Sequence, residues 1–298
     1  MPPEIDDTYA EAFDGLFARL LVTARDTKRL RKAAYGSTAL PSVVIGRAEG
    51  GVERLLSRNE TPDGRVGAIL QFWGLHDPVR VKESVDRFCR ELSYRIRQGI
   101  LVVPTTAVYN GFESNDKMDM MPTIGHCGDG YESDEDYLGR RIIRVPLMMG
   151  DFLIERYLGK GLGVAGGNIW LFCRNEYTAL RAGEKAIAAI SSVQGAITPF
   201  DICSAGSKPE TKFPEIGPTT NHYYCPTLRA RIPDSKIPEG VASIPEIVIN
   251  GTTLQVVKNA MRAAIEAVDG IPGLMRVSAG NYGGRLGRYR INLKELTT

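Results

Sequence analysis

Glu246 is the residue whose surroundings along the chain best suit it to chemistry. It follows Pro245 and opens the apolar run Ile247-Val-Ile249, which leads through Asn250-Gly251 into an amphipathic segment. A carboxyl beside a buried run has its charged form disfavoured, so its pKa rises toward neutrality, where it can accept a proton and give it back. A carboxyl exposed at a strand end has no such property, and position alone leaves both readings open. Cys225, within Tyr223-Tyr-Cys-Pro-Thr227, is a second candidate, as a nucleophile. No adjacent base or helix N-terminus is evident to lower its thiol pKa, and a packing cysteine explains it as well.

Two further patterns fail on their context. Gly161-Leu-Gly-Val-Ala-Gly166 fits G-x-G-x-x-G. That fingerprint needs a helix after it to hold pyrophosphate, and here Asn168-Ile-Trp-Leu-Phe-Cys173 reads as a strand. His126-Cys127 and the pair His222 and Cys225 are the nearest metal-ligating groups, in a chain with 3 histidines and neither C-x-x-C nor H-E-x-x-H. A zinc centre and a phosphate-binding G-x-x-x-x-G-K-[ST] loop are therefore not expected.

The elements that position these residues are legible from periodicity. Val81, Val85, Phe88, Leu92 and Ile96 fall on one helical face behind Asp77-Pro78, which predicts an Asp N-cap with proline at the first helical position. Leu254, Val257, Met261, Ile265 and Val268 form a second stripe, and helices are also expected over about 179–190 and 26–35. Strands are expected at Leu20–Thr23, Ala68–Phe72, Ile100–Val103, Ile169–Cys173, Glu246–Ile249 and Met275–Ser278. The two halves repeat one pattern of strand, capped helix, strand and small-residue turn. The expected fold class is α+β, with two similar ferredoxin-like (split βαβ) lobes over residues 1–150 and 151–298. The turns Pro104-Thr-Thr106, Gly128-Asp-Gly-Tyr131, Gly166-Gly-Asn168 and Ser278-Ala-Gly-Asn281 are expected at strand ends, with small residues that leave room for a planar ligand.

Composition narrows the class. The 298 residues carry 37 Lys and Arg against 35 Asp and Glu, a net charge of +2, with neither half one-sidedly basic. Binding to nucleic acid through phosphate contacts is not expected. No apolar run approaches the roughly 20 residues of a membrane span, and the acidic opening Met1-Pro-Pro-Glu-Ile-Asp6 is unlike a signal peptide. The 5 widely spaced cysteines read as reduced thiols, which implies a cytoplasmic protein.

Eight strings then occur in order: Asp7-Thr-Tyr-Ala-Glu-Ala-Phe13, Glu60-Thr-Pro-Asp-Gly-Arg65, Gly128-Asp-Gly-Tyr131, Gly163-Val-Ala-Gly-Gly-Asn168, Gly206-Ser-Lys208, Tyr224-Cys-Pro-Thr227, Glu246-Ile-Val-Ile-Asn-Gly251 and Ser278-Ala-Gly-Asn-Tyr-Gly-Gly284. Together they resemble the formylmethanofuran–tetrahydromethanopterin formyltransferase family over nearly the whole chain. The resemblance implies reversible formyl transfer between N-formylmethanofuran and N5 of tetrahydromethanopterin, as co-substrates, with no metal or tightly bound cofactor. It implies a homotetramer built as a dimer of dimers, and it places the catalytic carboxylate at Glu246. Glu11, Thr105, Tyr131, Lys208, Asn221 and Asn281 are nominated for the substrate walls, Lys208 facing an anionic tail. Backbone N–H groups of the glycine turns or the Asn281 side chain are candidate oxyanion donors. Salt-adapted archaeal members are strongly acidic, so a charge of +2 suggests a mesophilic host such as a methylotrophic bacterium. There the enzyme would work beside formylmethanofuran hydrolase subunits. The alternative is an altered or inactive paralogue serving as a scaffold subunit of such a complex.

Overall fold

The computed structural model describes residues 2–39 and 47–297. The chain forms two compact units, one of Gly15–Leu162 and one of Met1–Asp14 with Gly163–Thr298. The two longest strands, β1 (Tyr9–Ala24) and β8 (Tyr157–Cys173), carry the chain from one unit into the other.

In the Gly15–Leu162 unit, β1 leads to α1 (Thr27–Thr38), β2 (Glu49–Leu56), β3 (Val66–Leu75), α2 (Val81–Arg95) and β4 (Ala107–Asn110). β1 lies between β3 and β4 with β2 outside β3, every neighbour antiparallel. The hairpins of β5 (Ser133–Tyr137), β6 (Arg140–Leu147) and β7 (Gly150–Glu155) extend this sheet through a parallel β4–β7 pair. Leu30, Phe88 and Leu92 of the helices pack on Leu20, Val22, Leu70 and Phe72 of the strands. Asp26 caps α1 by accepting the Arg29 N–H at 3.0 Å, a bond that satisfies one of the free amides of the first turn.

The second unit repeats the order. The Gly163–Cys173 part of β8 is followed by α3 (Glu176–Ile190), the short strand Ala196–Ile197, β9 (Glu246–Gly251), α4 (Leu254–Val268) and β10 (Leu274–Ser278). β8 lies between β9 and β10, with Ala196–Ile197 outside β9. These pairs too are antiparallel, while Glu4–Ile5 pairs parallel to β10 on its other side. The apolar stripe of α4 packs with Ile169, Leu171, Ile247 and Ile249. β11 (Tyr289–Asn292) pairs with the Tyr9–Ala12 part of β1. No helix among the described residues is long and apolar enough to cross a membrane.

Two expectations are corrected. α2 starts at Val81 with Arg80 at its N-cap, because the Asp77 carboxylate accepts the amides of Val79 and Arg80 at 3.0 and 3.1 Å. That local turn uses the Asp77 side chain before the helix begins. Ile100–Val103 is not a strand either. Phe88, Leu92, Ile96 and Ile100 are all buried at four-residue spacing, and α2 continues into a π-helical turn over Ile96–Leu101. The Thr106 hydroxyl then donates to the carbonyls of Ile100 and Val103, and the strand starts at Ala107.

Candidate functional site

The G-x-G-x-x-G string lies inside β8, as a strand. Gly166 has φ near 85°, in a register shift between Val164 and Gly167 opposite β9. A Cβ there would stand 2.7 Å from the Phe13 ring, so only glycine fits. The Asn250 side chain accepts the Gly166 N–H at 3.0 Å and fixes this bulge from β9.

Immediately beyond the bulge, Trp170 of β8 stands opposite Glu246 at the start of β9. The indole Nε1–H donates to Glu246 Oε1 at 2.9 Å. Glu246 is 9% exposed, and its backbone exchanges two hydrogen bonds with Cys203 at 2.8 and 2.9 Å. Burial pushes the Glu246 carboxyl above its ordinary pKa, while hydrogen bonds from Trp170 and the Cys203 thiol pull it back only in part. The site therefore holds a carboxyl tuned upward, with one oxygen engaged by the indole.

Glu246 lines a cavity of about 400 Å³, with Ile202, Pro245 and Leu180 on its apolar wall. A larger cavity of about 640 Å³ is lined by Lys208, Lys236, Tyr282 and Arg285 among others. Trp170, Asn221 and Tyr224 face both cavities. The rings of Trp170 and Tyr224 meet edge to face at 4.8 Å, and the Lys236 ammonium lies 5.2 Å over Tyr223 and 5.9 Å over Tyr224.

Of the residues nominated from the sequence, Glu246, Lys208, Asn221 and Asn281 line these two cavities. Lys208 donates to the Glu210 carbonyl. The Asn281 amide donates to the Thr8 hydroxyl at 2.9 Å and the Tyr9 carbonyl at 3.3 Å. Both of its N–H groups are thereby occupied, so it is not a free oxyanion donor.

Glu11 is fully buried and lines neither cavity. Its carboxylate accepts the amides of Tyr282, Gly284 and Leu286, tying down the loop after Asn281. Burial alone would raise its pKa, but these amides and that of Gly287 outweigh burial and hold it below the usual value. Thr105 and Tyr131 belong to the Gly15–Leu162 unit. Thr105 sits at φ near 70°, its carbonyl accepting from Arg65 and its hydroxyl from the Arg25 amide. Tyr131 is 83% exposed.

Cys225 also lines the smaller cavity, its thiol donating to the Asn221 carbonyl at 3.4 Å. Among the described residues, no group of three or more His, Cys, Asp and Glu is placed to hold a metal ion. Trp170, Lys236 and Tyr282 also line the larger cavity, and no local sequence pattern marks them as site residues. Their roles depend on cross-strand register and on a long loop, which composition does not reveal.

Comparison with known proteins gives a consistent picture. The family model for formylmethanofuran–tetrahydromethanopterin formyltransferase matches residues 3–147, and the model for the proximal lobe of the same enzyme matches residues 150–296. A protein of Archaeoglobus fulgidus, named as formylmethanofuran–tetrahydromethanopterin formyltransferase-like, is 58% identical over 98% of this chain and 96% of its own. The formyltransferase structure from Methanosarcina barkeri superposes with a TM-score of 0.91 at 40% identity, covering 99% of this chain and 98% of that one. A chain of the formyltransferase/hydrolase complex of Methylorubrum extorquens, solved with methylofuran, gives 0.90 at 36% identity over 99% and 96%.

Proposed function

We propose a function from one premise: the chain belongs to the formylmethanofuran–tetrahydromethanopterin formyltransferase family. It transfers a formyl group reversibly between N-formylmethanofuran and N5 of tetrahydromethanopterin, with Glu246 handling the proton. The observation that carries this reading is a buried carboxyl of raised pKa at the wall of a cavity, held on one oxygen by Trp170.

The chemistry follows from the groups. The pterin amine attacks the formyl carbon, forming a C–N bond as the carbonyl oxygen takes the electron pair. Ionised Glu246 accepts the proton from the attacking nitrogen, and the same proton goes to the methanofuran nitrogen as its C–N bond breaks. The raised pKa makes ionised Glu246 a stronger base than an exposed carboxylate, which favours taking the proton from the attacking nitrogen. Holding two large substrates against each other supplies the rest of the rate, by saving the entropy of their encounter. Lys208 and Lys236, on the larger cavity, suit anionic parts of a co-substrate.

We further read the shared strand order as ferredoxin-like, split-βαβ lobes that divide along the sequence at 1–150 and 151–298, except that Met1–Asp14 packs within the second unit and residues 151–162 within the first. The meeting of the two family models between residues 147 and 150 supports that division. The protein is proposed to be a cytoplasmic homotetramer, a dimer of dimers, with no tightly bound cofactor.

A second reading has one observation in its favour. Identity is 58% to a relative named only formyltransferase-like and 40% to the formyltransferase of known structure. An altered or inactive paralogue acting as a scaffold beside hydrolase subunits fits that ranking. Formyl transfer by the purified protein, measured with both co-substrates and with native mass determination alongside, separates the two. Turnover by a homotetramer supports the enzyme. No turnover, with isolation only beside hydrolase subunits, supports the scaffold.

A further inference from the structure

Asn221 is held in place entirely by its backbone. Its N–H donates to the Gly206 carbonyl at 3.0 Å, and its carbonyl accepts the Tyr224 N–H at 3.0 Å and the Cys225 thiol at 3.4 Å. The side chain is not needed for those bonds. The residue is only 8% exposed, and its Oδ1 is buried with no hydrogen-bond partner among the described residues. An unpartnered buried amide oxygen weakens the fold, because water has been removed and nothing has replaced it. Such groups are uncommon in native proteins and call for an explanation in each case. The explanation here lies in location, since Asn221 faces both cavities of its unit at the wall it shares with Trp170 and Tyr224.

We infer that Asn221 is a specificity-determining residue whose side-chain oxygen accepts a hydrogen bond from a ring N–H of the reduced pterin, the ligand itself completing the amide's hydrogen bonding. The inference rests on the function proposed above and assigns one of its two co-substrates to this residue. An acceptor selects for a donor, and the tetrahydropterin is the co-substrate that carries several N–H groups on and beside one planar pyrimidinone ring. The aromatic faces of Trp170 and Tyr224 beside Asn221 suit such a ring. The terminal torsion of an Asn side chain is broad, so a small rotation offers the oxygen to a ligand in either cavity.

The test compares wild type with Asn221→Leu, which has similar volume and no polar atom. A side chain that supports the fold loses stability on this change. An oxygen waiting for a ligand does not. The variant is expected to unfold at a temperature no lower than wild type. It is expected to bind tetrahydromethanopterin roughly tenfold or more weakly, with formylmethanofuran affinity changed less than about threefold. Binding is read by quenching of tryptophan fluorescence, without turnover, since Trp170 borders both cavities. A clear fall in melting temperature, unchanged pterin binding, or equal weakening of both ligands overturns the inference while leaving the proposed function standing. If neither co-substrate binds the wild type, the proposed function fails and the inference falls with it.

Discussion

Trp170 and Glu246 are direct partners across the antiparallel pair of β8 and β9, and the indole N–H donates to the carboxyl at 2.9 Å. The indole is a donor only, so it stabilises the ionised carboxylate and partly opposes the effect of burial. Trp170→Phe keeps the ring packing and removes the donor, so the Glu246 pKa must rise further. The ionised base is then formed only at higher pH. The acid limb of the kcat profile is expected to move to higher pH, and its inflection in wild type to lie above the ordinary carboxylate range. An unmoved limb would separate the indole from the titration.

Glu246 weakens the fold that contains it. Its raised pKa means that the folded state holds a proton more firmly than the unfolded chain does. Between the unfolded and folded pKa values stability therefore falls as pH rises, and above both the full cost is present. Glu246→Gln removes the charge and keeps the shape. It is expected to melt higher than wild type at neutral and alkaline pH, by about 2–4 °C per kcal/mol recovered. The difference should shrink in acid. Melting curves at several pH values check this, and equal curves throughout would contradict it.

Glu11 shows the opposite sign. The backbone amides of the Tyr282–Gly287 loop outweigh its burial and lower its pKa. Stability from this group is present above the unfolded carboxylate pKa and is lost as pH falls through the folded value. Both Glu11 oxygens accept backbone N–H groups, so Glu11→Gln leaves neutral bonds on one oxygen and sets a donating NH2 against an N–H at the other, and is expected to cost on the order of 2–3 kcal/mol. Hydrogen exchange of the loop amides should speed up with it. Denaturant titration and exchange together test the assignment.

Gly280 lies beside the same indole. A Cβ at this position would stand 2.7 Å from the Trp170 ring. The Asn168 side chain clamps the turn from the other direction, accepting the Gly280 N–H at 2.6 Å and donating to its carbonyl at 3.2 Å. Gly280→Ala must therefore displace the indole, at a cost of about 1–3 kcal/mol typical of overpacking. A shifted tryptophan emission with reduced kcat is the expected outcome. An unchanged spectrum with full activity would show that the indole position is not critical.

The legibility of this chain has a physical boundary. The stripe through Phe88, Leu92 and Ile96 found its helix, because burial on one face leaves a period in the sequence. The same stripe continues through Ile100, where an apolar run of four residues carries no period that tells a buried helical turn from a strand. Glu246 could be picked out because its apolar neighbours adjoin it in sequence. Trp170 could not, since it lies 76 residues away and meets Glu246 only through strand register. The sequence reading places Glu11 at a substrate wall, whereas its carboxylate is engaged by amides 271 to 275 residues further on, which no local pattern reveals.

The central claim is that Glu246 moves the proton during formyl transfer. Its most direct test is kcat for transfer from formylmethanofuran to tetrahydromethanopterin, in wild type and in Glu246→Gln, at a pH where both are folded. A loss on the order of 10²–10⁴-fold, with substrate affinities little changed, is the expected result for a general acid–base residue. Turnover of the variant close to wild type would contradict the claim.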